Sequence, residues 1–100
     1  MPRKPAEYRL SPEAVRDLEA IWQYTAEAWS VAQAHRYTDK LTAACGQLAR
    51  KPQLGTACDH IRKGYRRRRV AEHVIYFRVT DYGIAVIRVL HDRMDAPRHL

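Results

Sequence analysis

The most restrictive feature of the chain is a helix-start signal placed directly behind another helix. Ser11-Pro12-Glu13 opens a run in which Val15, Leu18, Trp22, Thr25 and Trp29 recur at three- and four-residue steps, the period of one helix face. Ser11 can cap the free N–H groups, Pro12 suits the first helical position, and Glu13 meets the positive end of the dipole. Arg16, Asp17, Glu19, Gln23 and Glu27 fall largely on the opposite, polar side. Ser30-Val31-Ala32-Gln33 then matches a capping box, so a second helix begins near Val31. Its apolar positions are Val31, Ala34, Thr38, Leu41, Cys45 and Leu48. With almost no linker between them, the two helices must fold back as an antiparallel hairpin. The small residues Ala34, Ala44 and Cys45 permit close approach.

A hairpin of this kind needs a surface to bury against, and the rest of the chain supplies strands. Ala6-Glu7-Tyr8-Arg9-Leu10 is a short strand candidate with Tyr8 and Leu10 on one face. Pro52 and Gly55 end the second helix, and a polar connection runs to Gly64. Three β-type segments follow at 65–70, 73–79 and 84–90, separated by Ala71-Glu72 and Thr80-Asp81-Tyr82-Gly83, lengths that suit hairpins. The last two segments are apolar on both faces, as central strands are. The order strand, helix, helix, three-stranded meander predicts one two-layer α+β domain over residues 1–100.

Charge narrows the class of partner. Residues 1–61 hold eight basic and seven acidic side chains, net +1, whereas residues 62–100 hold ten and four, net +6. A basic half points to an anionic partner: nucleic acid, a membrane surface or an acidic protein. Six cations crowd the eight positions 62–69. In an extended strand Arg66 and Arg68 project to one face, Arg67 and Arg69 to the other. They read either as a solvated edge strand that resists aggregation or as a strip that grips phosphates or carboxylates. Trp22 and Trp29 read as core, or as the wall of a groove receiving a partner's hydrophobic anchors.

Other chemistry finds little support. Cys45 and Cys58 fit no zinc or CxxC spacing and read as ordinary thiols, one on a helix face and one in a loop. The histidines His35, His60, His73, His91 and His99 show no metal-binding spacing, so no metal or other cofactor is expected. His73 and His91 stand at predicted strand ends. Together with the arginine strip they hold the inventory of a ribonuclease, a base, an acid and cations for the phosphorane, without a supporting spacing. Met1-Pro2-Arg3-Lys4-Pro5-Ala6-Glu7 lacks the apolar stretch of a secretory signal, and no run approaches a bilayer span. A cytoplasmic protein with no membrane contact is expected.

The last third carries a family resemblance. Ile61-Arg62-Lys63-Gly64-Tyr65-Arg66, His73-Val74-Ile75-Tyr76-Phe77-Arg78-Val79 and Ile87-Arg88-Val89-Leu90-His91-Asp92-Arg93-Met94-Asp95 resemble ParE toxins. Tyr8-Arg9-Leu10-Ser11-Pro12-Glu13-Ala14 and Pro52-Gln53-Leu54-Gly55 resemble the same family in the same order. The resemblance implies a RelE/ParE-like fold, a helical hairpin on a mostly antiparallel sheet in which the first strand pairs alongside the later ones. It also implies a ParD-like antitoxin, in a heterotetramer or larger hetero-oligomer, and DNA gyrase as the target, with no sequence-specific DNA binding by the toxin alone. RelE-type relatives instead cut messenger RNA on the ribosome, using basic residues and a tyrosine near the C-terminus. Residues 92–100 here contain no tyrosine. The chain departs from the ParE pattern at Ala71-Glu72, where a glycine-containing turn is common, and at Thr56, where a basic residue is common.

On this reading no residue is catalytic. Arg66, Arg67, Arg68, Arg69, Trp22 and Trp29 are expected to meet the antitoxin. His91, Arg93 and Met94 are expected to leave the last strand as a mixed cationic and apolar cluster that meets gyrase, the alternative being that Arg93 pairs with Asp92 or Asp95. A chain ending at Leu90 is expected to stay folded.

Overall fold

Five strands and two long helices make up most of the computed structural model, which describes residues 5–100. The reading of Met1-Pro2-Arg3-Lys4 as part of a non-secretory start lies outside those residues. Strand β1 (Glu7–Leu10) leads into α1 (Pro12–Ala28) and α2 (Val31–Arg50), and a single 3-10 turn (Pro52–Leu54) follows. The chain then forms β2 (Thr56–Ala57), β3 (Arg66–Val70), β4 (His73–Thr80), β5 (Gly83–His91) and a short α3 (Ala96–His99). The sheet order is β1-β5-β4-β3-β2, with β1 parallel to β5 and every other pair antiparallel. This is the expected α+β architecture. No described helix is long and apolar enough to cross a membrane.

Both helix starts are capped as the sequence dictates. Ser11 accepts from the Ala14 N–H and Ser30 from the Gln33 N–H, each at 3.0 Å. Only Trp29 and Ser30 separate the helices, which pack as a hairpin.

The buried stripe of α1 differs from the expected one. Ala14 and Ile21 are its buried residues, whereas Val15 is 39% and Trp29 77% exposed. The true seam is rotated by about one residue from the stripe of largest side chains, since α1 must approach β5 and α2 together. A small residue such as Ala14 permits that approach where a tryptophan would hold the helix off. On α2, Ala34, Leu41, Cys45 and Leu48 are buried as expected, joined by Ala49, while Val31 is exposed.

A bulge on β5 sorts side chains between two cores. Tyr76 pairs with Arg88 but Phe77 with Val86, so Ile87 is the extra residue. Strict alternation from Ile84 and Val86 would carry Arg88 and Leu90 toward the helices. With Ile87 inserted, Val89 joins Ile75, Phe77, Ile84 and Val86 in the main core with α1 and α2. Leu90 instead packs with Tyr76, Cys58 and Ala96 on the opposite face.

β1 ends at Leu10, and α1 covers the β5 edge that continues beyond it. The Ser11 N–H donates to the Val86 carbonyl and its hydroxyl to the Ile87 carbonyl at 2.6 Å. Asp17 accepts from the Val89 N–H at 2.9 Å and from two Arg88 nitrogens at 2.8 Å. Asp17, expected on the polar side, is thus half-buried and structural.

Two connections also depart from expectation. The stretch before Gly64 contains β2, and residues 91–100 are not a free exit: β5 runs through His91, Ala96 is buried, and Leu100 packs on the second core. Arg88 additionally donates to the His99 carbonyl. A chain ending at Leu90 would lose Ala96 and Leu100 from the second core around Cys58 and Tyr76, and is expected to be less stable than the full chain.

Asp17→Ala strands the Arg88 guanidinium and the Val89 N–H at a largely buried edge. It is expected to lower unfolding free energy by about 3 kcal/mol, read as a reduced urea midpoint. An unchanged midpoint would show that Asp17 does not hold α1 to the sheet.

Candidate partner-binding surfaces

The Arg66, Arg67, Arg68 and Arg69 strip divides by strand alternation, and its two halves do different work. Arg66 and Arg68 sit opposite Phe77 and Ile75 in the sheet register, so they point to the helix side. There Arg66 donates to the Pro52 and Gly55 carbonyls at 3.3 and 2.6 Å, and Arg68 to the Leu54 carbonyl at 3.0 Å. These two guanidiniums tether the turn that follows α2. Arg67 and Arg69 sit opposite Tyr76 and Val74 on the other face. Arg69 binds Asp92 at 2.7 Å and the Ala71 carbonyl at 3.0 Å. Backbone carbonyls and Asp92 therefore accept from three of the four guanidiniums of the strip. Arg67, Arg68 and Arg69 line a polar groove of about 490 Å³ with Leu54, Thr56, Val74, Tyr76 and Asp92.

The two tryptophans also part company. Trp22 is half-buried, with its ring edge-on to His35 at a centroid distance of 5.5 Å and its Nε1 3.4 Å from His35 Nδ1. Trp29 projects from the end of α1. It lines a second groove of about 550 Å³ with Ile21, Tyr24, Thr25, Gln33, Tyr37, Ala71, Glu72, His73 and His91. Tyr24 is 71% exposed on its wall. Here large aromatic side chains face solvent beside a half-open cleft, an arrangement suited to a partner's apolar anchors.

Lining this cleft is a cluster that spacing along the chain does not reveal. The Tyr37 hydroxyl is 2.6 Å from His73 Nδ1, and the Glu72 N–H donates to that hydroxyl at 3.3 Å. The His73 and His91 rings meet edge-on at 5.3 Å. His91 Nδ1 lies 3.1 Å from Asp92 Oδ1 and accepts from the Arg93 N–H at 3.1 Å. Burial, then the nearby His91, push His73 below the ordinary histidine range; Glu72, Asp92 and Asp17 pull the other way. Burial likewise raises Tyr37. The signal for this cluster is cross-strand: His73 and His91 are direct partners in the register, and Tyr37 follows Ala34 by three residues on the hairpin.

Of the cluster expected at the strand exit, His91 belongs to β5 and faces the cleft, while Arg93 and Met94 are exposed on the turn that follows. The three are close in sequence, but only His91 lines the cleft. Asp92 pairs with Arg69, and Asp95 with Arg98 at 3.2 Å, so neither carboxylate is bonded to Arg93. The turn between β3 and β4 carries Ala71 at φ +52°, a conformation that glycine adopts more readily.

The model of the ParE toxin of the type II toxin–antitoxin system, parDE, matches residues 8–96. The chain belongs to the ParE toxin family. It is 47% identical over 94 residues to Toxin ParE1 of Mycobacterium tuberculosis, covering 93% of this chain and 96% of that protein. Identity to Toxin ParE1 of Caulobacter vibrioides is 41% over 93 residues, with the same two coverages. Among solved structures, the fold is similar to a chain of the chromosomal ParDE system from P. aeruginosa (TM-score 0.75, 17% identity, 87% of this chain and 96% of that one). It is also similar to a chain of the toxin–antitoxin complex RelBE2 from Mycobacterium tuberculosis (TM-score 0.67, 21% identity, 88% and 99%). As a ParE-family member, the chain is a toxin of a type II toxin–antitoxin system.

Both thiols of this toxin are fully buried and free. Burial pushes Cys45 up to about 12 and raises Cys58 as well, against a lowering pull from Arg67. The thiolate being disfavoured, neither is expected to react with a disulfide reagent at pH 8 until the protein unfolds. Rapid native labelling of either would contradict the packing described.

Proposed function

We propose that the toxin arrests growth by binding DNA gyrase and holding it with DNA cleaved, and that a ParD-like antitoxin neutralises it in a hetero-oligomer. The chain acts in this reading as one cytoplasmic domain that breaks no bond itself. The observation that carries the reading is the 47% identity to a ParE1 toxin across nearly the whole of both chains. Trp29 and the groove-lining Arg67, Arg68 and Arg69 are assigned to the antitoxin. Trp22 is assigned to its margin, and Arg66, half-buried and bonded to the Pro52 and Gly55 carbonyls, supports the surface from beneath. Arg93 and Met94, exposed on the turn after β5 and carried by a central strand, are assigned to gyrase with His91 as their base. An arginine beside a flexible methionine suits a protein-binding surface.

The geometry of the cleft also supports a non-enzymatic mode. Cleaving RNA requires cations near the phosphorane as well as an acid and a base. The paired imidazoles of His73 and His91 line a cleft with no lysine or arginine among its described lining residues, whereas Arg67, Arg68 and Arg69 line the other groove.

Purified toxin is expected to block gyrase supercoiling and accumulate cleaved DNA, and its induction is expected to cause filamentation with a DNA-damage response. Arg93→Ala with Met94→Ala should leave the unfolding free energy within about 0.5 kcal/mol, as surface changes do, and abolish most of the poisoning. Unaffected gyrase together with cleaved messages and halted translation would transfer the assignment to a RelE-like ribosome-dependent nuclease.

A further inference from the structure

Tyr37 is the hydrogen-bond partner of His73. The Tyr37 oxygen accepts from the Glu72 N–H at 3.3 Å and lies 2.6 Å from His73 Nδ1, where its hydroxyl can donate to an unprotonated Nδ1. With Tyr37 as the donor, neutral His73 is the Nε2–H tautomer, and the anchor proposed below rests on that tautomer. Among the described residues no acceptor takes that Nε2–H, although the ring lines the aromatic cleft beside Tyr24 and Trp29. The nearby acids are engaged or displaced: Asp92 with Arg69, Asp17 with Arg88, and Glu72 at 4.0 Å from His91 Nε2. In that tautomer a half-buried N–H with no protein acceptor among the described residues lines a cleft whose walls include Ile21, Tyr24 and Trp29.

We propose that His73 is a carboxylate anchor: its Nε2–H receives an acidic side chain from an apolar segment of the neutralising antitoxin, and His73 takes up a proton as the complex forms. This rests on the antitoxin reading above. The occupant follows from complementarity, since the toxin carries a net charge of +7 while Tyr24, Trp29 and Ile21 offer apolar walls to the segment bearing the acid.

The sign of the linkage follows from the surroundings. In the free toxin, burial and His91 disfavour imidazolium at His73, with Glu72, Asp92 and Asp17 opposing more weakly. A partner carboxylate at Nε2 favours imidazolium, so the His73 pKa rises on binding and protons are absorbed. Affinity then strengthens as pH falls from 8 to 6. Tyr37 accommodates both states, because its oxygen has two lone pairs and can accept from Nδ1–H once His73 is charged.

Calorimetric titration of the toxin with the antitoxin encoded beside it, in two buffers of different ionisation enthalpy, reads the proton uptake directly. Net uptake near pH 7 and a Kd roughly tenfold tighter at pH 6 than at pH 8 are expected. Affinity changes about tenfold for each pH unit by which binding raises the histidine's titration midpoint. His73→Gln retains an N–H without titrating, and should bind with a nearly pH-independent Kd and no uptake. His73→Phe should bind about tenfold more weakly at pH 6. Imidazole NMR of the unaltered toxin gives the same answer without a variant: Nε2–H at His73 when free, and a raised pKa in the complex. No uptake by the wild type, uptake persisting in a folded His73→Gln, or an unchanged His73 resonance overturns the anchor and leaves the antitoxin reading standing. Failure of the antitoxin to bind wild-type toxin at any pH overturns both.

Discussion

The contact among Asp17, Arg88 and the Val89 N–H holds the two layers in register. β1 pairs with only the first part of β5, so the rest of that edge would present unpaired backbone groups. Ser11 and Asp17, one turn and a half apart on α1, take over as surrogate strand partners. A helix thereby replaces a strand along the edge, and its axis is fixed relative to the sheet. The Ile87 bulge falls in this covered stretch, where α1 side chains satisfy the backbone groups that ladder pairing leaves.

Everything at the aromatic cleft depends on that arrangement. The bulge sends Val89 into the main core and with it directs His91 to the helix side, opposite His73. The fixed α1 carries Ile21, Tyr24 and Trp29 along the opposite wall. Without the inserted residue, His91 would project to the other face with the second core, and the pair of imidazoles would not exist. The same alternation on β3 places Arg66 and Arg68 on the helix side, where they hold the Pro52–Leu54 turn, and Arg67 and Arg69 on the opposite face. The Arg69–Asp92 pair joins the two surfaces at one corner of the molecule.

Local signals in the sequence mark the elements well and the surfaces poorly. Ser11 and Ser30 locate both helix starts because a cap needs only a few neighbouring residues. The apolar runs around Ile75 and Val86 mark the central strands for similarly local reasons. The buried face of α1 is not local: Ala14, Asp17 and Ile21 face inward because α1 meets β5 and α2 at once, and side-chain size alone favours Val15, Trp22 and Trp29. The role of Asp17 depends on a partner 71 residues away. A two-residue strand such as β2 leaves almost no pattern, and the α3 cap on the second core is legible only once Cys58, Tyr76 and Leu90 are seen to share a face. Tyr37, His73 and His91 come together through three separate elements, and no spacing rule joins them.

We propose that the antitoxin sits in the cleft between the end of α1 and the β3–β4 turn. Hydrogen–deuterium exchange of the toxin, free and in complex with its antitoxin, tests this most directly. Slowed exchange is expected at residues 24–31 and 71–73, the two walls of the cleft. Unchanged exchange in both segments, with protection confined to the opposite end of the sheet around Tyr82 and β1, would contradict the account.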